Sequence, residues 1–228
     1  MRHICFWMDA HGLKLAVAKT GIVLLTKRRI DTVRPMQVGD VTVQIKAAVK
    51  YLRVMLDTKL TFWEQIRRTV DKAMAVTASM SRTMANIGGP RPCMRRLLMR
   101  TTEAILLYGA EVWADALQHE KYRKRLAAVQ RRRALLVACS YCTVSEPAIM
   151  VVAGVIPTNF LVKERRFVHQ QKAAVGLTCA KDTASANTMR VWQDPWTRES
   201  RGRWTARLRR LTSLSGLPFA RRKITRRR

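Results

Sequence analysis

Val49-Lys50-Tyr51-Leu52-Arg53-Val54-Met55-Leu56-Asp57, followed closely by Leu60-Thr61-Phe62-Trp63-Glu64, is where the chain changes character. The first run is rich in β-formers and reads as a strand. The second reads as a helix start, a capping box in which Thr61 accepts a hydrogen bond and Glu64 reaches back. Upstream, Ile22-Val23-Leu24-Leu25 reads as a buried strand, and Gly39-Asp40 as a two-residue turn between Val38 and Val41. Phe6-Trp7-Met8 reads as the end of a helix stopped by Gly12, which suggests a chain that starts inside something larger. Downstream, Phe62, Ile66, Val70, Ala73, Met80, Met84 and Ile87 recur at helical spacing until Gly88-Gly89-Pro90. A second helix is expected over about 92–116, with Leu97, Leu98, Ile105, Tyr108 and Val112 inward. A third is expected over about 120–138, with Tyr122, Leu126, Val129 and Leu136 inward. A short fourth opens at Ser145-Glu146-Pro147 and ends at Gly154; a fifth runs from Pro157 to Gly176. From Lys181 the periodicity dissolves into polar residues, Trp and Arg. The fold class is therefore α+β: a small antiparallel sheet over 1–57, a helical bundle over 58–140, a helical extension over 141–178 and a basic Trp/Arg-rich tail over 179–228.

Of the 228 residues 48% are hydrophobic, which argues against global disorder. No apolar run approaches the ~20 residues of a membrane span, and none near the start reads as a secretory signal. Five cysteines, an odd number, suggest reduced thiols. The expected setting is intracellular, nuclear or cytoplasmic, with no membrane partner and no secretion. Charge is the loudest feature: 44 Lys and Arg against 15 Asp and Glu, a net +29. A folded domain gains nothing from such self-repulsion, so a polyanionic partner, RNA or DNA, is expected. The final Arg221-Arg222-Lys223 and Arg226-Arg227-Arg228 would also pass as a nuclear localisation signal.

The cations are patterned. On the third helix stand Lys121, Arg123, Lys124, Arg125 and Arg131-Arg132-Arg133, with Glu120 the nearby carboxylate. A solvated helix face is the plain account; a phosphate-facing surface explains the imbalance better. Arg95, Arg96 and Arg100 on the second helix join it as candidates. In the tail, Trp192, Trp196 and Trp204 interleave with Arg198, Arg201, Arg203 and Arg207, a pattern that suits single-stranded nucleic acid or else an unstructured end. Cys139-Ser140-Tyr141-Cys142 lacks the second close Cys/His pair of a zinc site. No nucleophilic triad or Gly-rich phosphate loop is present.

Several strings, in order, add a resemblance. They are Gly12-Leu13-Lys14-Leu15-Ala16 with Lys19-Thr20, then Val49 to Asp57, Leu60-Thr61-Phe62, Pro90-Arg91 and Arg95-Arg96-Leu97-Leu98. Leu106-Leu107-Tyr108-Gly109-Ala110-Glu111-Val112-Trp113-Ala114 and Leu126 to Arg132 follow. Together, over roughly residues 6–175 and again weakly at Gly202-Arg203-Trp204-Thr205, the chain resembles the reverse transcriptase of a non-LTR (LINE-like, type-1) retrotransposon polyprotein. The resemblance implies that residues 12–26 are the family's motif D, on a palm remnant. Lys19 then lies near the incoming nucleotide's phosphates, where an ammonium stabilises the leaving group. It implies that 49–57 form the primer grip, Tyr51 and Leu52 packing while Lys50 and Arg53 face phosphate. It implies that the helices are a thumb leaning on template–primer. A lone turn lysine and an ordinary sheet strand are the plain readings of Lys19 and Tyr51. The chain departs from the family in having Arg53 where Gly is usual, Gly21 where Glu is usual and Gln65 where His is usual, as a relaxed copy would.

The family holds two Mg2+ ions about 3.5–4 Å apart on aspartates upstream of motif D. This chain contains no Asp-Asp, and Asp9, Asp31, Asp40 and Asp57 stand singly. The expectation is a reverse transcriptase fragment that keeps template–primer contacts, has no catalytic residue or cofactor of its own, and acts beside upstream polymerase and endonuclease portions. Mg2+ is expected only for a full-length polymerase. A non-catalytic nucleic-acid-binding module and a transposon relic are the other readings.

Overall fold

The computed structural model describes residues 2–13, 16, 20–26, 35–38, 41–85 and 88–198, and divides between Thr69 and Val70 into two compact units. The fold class is α+β: among the described residues there are two small antiparallel sheets and eight helices.

In the first unit, α1 (Arg2–Ala10) ends as expected, with Gly12 in the left-handed region at φ 68°. Strands β1 (Met36–Val38) and β2 (Val41–Val43) pair with Val38 opposite Val41, while the turn expected at Gly39-Asp40 lies outside the described residues. The strand expected at Ile22–Leu25 is not formed. Ile22 makes a single parallel bridge to Ile45, while Leu24 and Leu25 are exposed. A second antiparallel hairpin replaces the single strand read over Val49–Leu56: β3 (Ala48–Tyr51) pairs with β4 (Val54–Asp57). Alternating β-formers specify strand without revealing a tight turn that lacks Gly and Asn. Leu52 and Arg53 make that turn at φ 44° and 66°. Positive φ at both central positions is the arrangement that favours Asn-Gly, and an L side chain there costs ~1–2 kcal/mol. Arg53→Gly should therefore raise stability by about 1 kcal/mol in urea unfolding. A destabilised variant would show that the Arg53 side chain outweighs its backbone strain.

Val43, Val54, Met55 and Ile66 are buried in this unit. Gln65, on α2 (Trp63–Ser81), is buried too; its Oε1 accepts the Met55 N–H at 2.8 Å and its Nε2 donates to Thr69 Oγ1 at 3.2 Å. The polar residue at this position ties the helix to the hairpin. The capping box is not formed as expected. Asp57 takes the capping part, its carboxylate accepting from Thr61 N–H, Thr61 Oγ1 and Phe62 N–H at 2.8–2.9 Å. Glu64 turns outward to Arg67 and Arg68. Burial raises the Asp57 pKa, but the Thr61 and Phe62 hydrogen bonds outweigh it and hold the group below its ordinary value. Bonds from Arg67 and Arg68 pull Glu64 down to about 2. Both folded values are depressed, so both contributions are complete above the unfolded pKa and lost as pH falls through the folded one. Stability measured by thermal melting should decline from about pH 5 toward pH 2, and Asp57→Asn should flatten that decline.

In the second unit, α3 (Pro92–Leu106) is shorter than expected. Gly109, at φ 60°, opens a break to α4 (Ala110–Trp113) and a 3-10 turn, Ala114–Gln118. Trp113 fills the break, nearly fully buried, its Nε1 donating to Tyr108 O at 3.0 Å. Helices α5 (Glu120–Ala138), α6 (Glu146–Ala153) and α7 (Thr158–Val175) match the sequence reading. The first 20 residues of the stretch read as tail belong to α8 (Leu177–Arg198), which packs along α7 with Ala180, Ala184, Thr188 and Trp192 buried at four-residue spacing; the rest lies outside the described residues. Small residues make a weak periodic signal, which hid the helix. Met84, Met99, Ala134, Val137, Ile149, Met150, Ala153 and Trp192 form one core cluster.

The α3 face is rotated from the one expected. Arg95, Met99, Thr102 and Leu106 are buried, while Leu97, Tyr108 and Val112 are exposed. Polar groups satisfied inside make this possible: Thr102 Oγ1 meets Thr77 Oγ1 at 3.3 Å, and Arg95 spends its guanidinium on carbonyls. No single helix among the described residues is long and apolar enough to cross a membrane.

Candidate nucleic-acid interface

The cations singled out from sequence separate into inward and outward groups. Arg95 is 1% exposed. Its Nε donates to Pro90 O at 2.8 Å, Nη1 to Met84 O at 3.1 Å and Leu136 O at 3.2 Å, and Nη2 to Ala85 O. It joins the segment after α2 to the C-terminal turn of α5. A Cβ on Gly89 would lie 2.0 Å from Ala85 O and 2.6 Å from Arg95 Nη2, so this close approach needs the glycine. Arg133 is 2% exposed and pairs through Nη2 with Glu103 Oε2 at 3.2 Å. Burial lowers the pKa of Arg133, with Glu103 opposing. Neither guanidinium is offered to a partner, which corrects the phosphate-facing role expected of Arg95 and Arg133. Arg131 is intermediate, its Nη2 donating to Cys142 O and Val144 O. That contact anchors the loop carrying the CxxC, whose Cys139 and Cys142 are exposed.

The outward group lies mainly on α5. Lys121, Lys124 and Arg132 are exposed and Arg125 is half-buried, along a face whose opposite side buries Leu126, Val129 and Val137. Lys121, Arg125 and Arg132 follow one stripe roughly 16 Å long at 1.5 Å per residue. Glu120 pairs with Lys124 at 2.8 Å in the first turn, and that contact lowers the Glu120 pKa. On α3, Arg100 is exposed and Arg96 half-buried.

In the first unit, Lys50, Tyr51, Leu52 and Arg53 sit together at the tip of the β3–β4 hairpin, all exposed. Tyr51 and Leu52, at 64% and 73% exposure, do not pack inward as expected: Tyr51 ends β3 and Leu52 lies in the turn itself. Lys19, Trp204 and Arg207 lie outside the described residues.

Three of the described carboxylates already have partners. Asp57 is committed to the turn before α2, Asp115 to Arg166, and Glu103 to Arg133. Among the described residues no group of three His, Cys, Asp or Glu lies together as metal ligands would.

Sequence reasoning passed over one further feature of the second unit. Two adjoining clefts, of about 450 and 510 Å3, share Arg123 and Asn159 between α5 and α7. Their residues were invisible as a group because α5 and α7 are joined only through α6.

Three comparisons with known proteins bear on the chain. It is 24% identical, over 88% of its length, to the retrovirus-related Pol polyprotein from type-1 retrotransposable element R1 2 of Nasonia vitripennis. It is 24% identical, over 89%, to the retrovirus-related Pol polyprotein from type-1 retrotransposable element R1 of the same organism. It is 29% identical, over 69%, to a putative 115 kDa protein in type-1 retrotransposable element R1DM of Drosophila melanogaster. The chain spans 54%, 66% and 15% of these relatives' own lengths. No family model and no solved structure matches. The likenesses support an origin in a type-1, non-LTR retrotransposon polyprotein.

Proposed function

We propose that the chain is the template–primer-holding part of a non-LTR retrotransposon reverse transcriptase, with the helices over residues 58–140 as its thumb and the β3–β4 hairpin as its primer grip. The observation that carries this is the outward basic face of α5, beside which the inward cations are structural. Phosphates neutralised by such a face release condensed counterions, which drives binding without regard to sequence. The exposed Tyr51-Leu52 tip suits contact with a primer end better than the core role first read for it. RNA and DNA are the proposed partners, together with upstream polymerase and endonuclease portions of the polyprotein. Lys19 would serve the incoming nucleotide only in that larger assembly. We place the catalytic aspartates and their Mg2+ outside this chain.

The test uses a primed RNA template. The purified chain should retard it in a gel yet add no nucleotide in the presence of Mg2+, since no carboxylates among the described residues lie together to hold two metals. Template-dependent extension by the pure chain would overturn the division of labour; absence of binding would remove the function itself.

A further inference from the structure

We infer that the paired clefts between α5 and α7 form a binding site for an unpaired nucleotide of a single-stranded segment, the base in one cleft and its phosphate at the other. This rests on the nucleic-acid-binding reading above and names a place and a ligand that the basic face alone does not.

The two clefts differ in chemistry. The first is an apolar slot with Pro147, Met150, Phe160 and Trp192 among its walls. Trp192 is 9% exposed and seated in the core cluster, which makes that wall rigid. Gln130 stiffens the opposite wall: its Oε1 accepts the Thr158 N–H at 2.7 Å and its Nε2 donates to Ile156 O. With both ends of its amide used, Gln130 shapes the slot rather than reading a ligand. The second cleft carries the cations Arg123, Lys163 and Arg166. Asn159, Lys163, Arg166, Phe167 and Gln170 fall at i, i+4, i+7, i+8 and i+11, one face of α7.

Arg123 stands at the junction. Its Nη1 donates to Leu117 O and Gln118 O, both at 3.0 Å, so the guanidinium is oriented before any ligand arrives. Carboxylates are present as well. Glu120 is held by Lys124 and Asp115 by Arg166, while Glu146 stands on the slot's edge, where it can accept from a base amino group.

A nucleotide has the same division: a planar apolar body that stacks on aromatic faces, joined to an anion. Each cleft is within the ~300–1,000 Å3 range of small-molecule sites. Stacking of this kind tolerates any base, which fits binding without sequence preference. An extended peptide would use the slot but not a cationic floor, and the chain's +29 charge favours the polyanion.

The experiment is photo-crosslinking of the full chain to a single-stranded oligonucleotide carrying 5-iodouracil, with adducts mapped by mass spectrometry. Adducts are expected on the peptides bearing Phe160 or Trp192. Two variants accompany it. Ala127→Trp, which fills the slot from the α5 side, should weaken single-strand binding about tenfold, the loss of one stacked base, and leave blunt-duplex binding unchanged. Lys163→Gln should reduce the single-strand salt slope by about 0.7. Adducts confined to the α5 outer face, or an Ala127→Trp variant that binds single strands as the parent does, would overturn the cleft assignment while leaving the broader reading intact. Failure of the broader reading is separately visible, as loss of salt-dependent binding to both substrates. If Ala127→Trp fails to fold, the crosslink map on the unaltered chain decides.

Discussion

Arg95→Met is expected to lower the stability of the helical unit by about 3–5 kcal/mol. Methionine keeps much of the volume and removes every donor. The carbonyls of Met84, Ala85, Pro90 and Leu136 then lose their partner inside the fold. Each buried acceptor left unmade costs ~1–3 kcal/mol, and the Pro90 end, being partly exposed, recovers water at less cost. The segment between α2 and α3 has no regular ladder of its own, so these bonds are what close it over the core at Met84 and Met99. Arg95→Lys should rescue only part, since an ammonium cannot span four acceptors as the planar fork does. Arg100→Met, on the exposed side of the same helix, should change stability by less than about 0.5 kcal/mol. Thermal melting of the three variants measures this. A melting drop for Arg95→Met no larger than that for Arg100→Met would show that Arg95 is not a structural cation.

The second large effect is on binding. Changing Arg100, Lys121, Lys124 and Arg132 together to Gln should weaken duplex affinity about four-thousandfold at 0.1 M salt. Each phosphate contact contributes ~0.9 to the salt slope, hence nearly tenfold at that concentration. All four side chains are exposed, so the change should leave the melting temperature nearly untouched. The contrast with the Arg131-Arg132-Arg133 run is informative. The sequence suggests three phosphate contacts there and a slope change near 3. The structure turns Arg133 inward to Glu103 and commits Arg131 to the loop at Cys142 and Val144. Gln at all three should therefore flatten the slope by about one contact and cost stability instead. Affinity falling equally in the two multiple variants would contradict the sorting.

What the sequence made legible follows the physics of each signal. The β1–β2 hairpin and the α5, α6 and α7 boundaries were readable because a Gly-Asp turn, a Ser145-Glu146-Pro147 start and an αL Gly154 are local signals. The β3–β4 turn was not, because Leu52-Arg53 carries no turn chemistry and is held by the pairing of its strands. The face of α3 was misjudged because periodicity counts Arg95 and Thr102 as polar and cannot see partners 25 to 41 residues away. Helix α8 was missed because Ala180, Ala184 and Thr188 are small, and burial by small residues leaves little hydrophobic contrast. For the candidate interface, charge told that cations are in excess. It could not tell which of Arg131, Arg132 and Arg133 faces out, because that depends on a salt bridge to another helix. The cleft between α5 and α7 needed the fold itself.

The role proposed for this chain is to hold nucleic acid through outward phosphate contacts on α5 and α3. The most direct test is the affinity of the unaltered chain for a primed RNA template across a salt series, beside the fourfold Gln variant. A straight line of log K against log salt is expected, steeper than about −3, which the variant flattens by roughly three units. A salt-independent affinity, or a variant whose line overlies that of the unaltered chain, would contradict it.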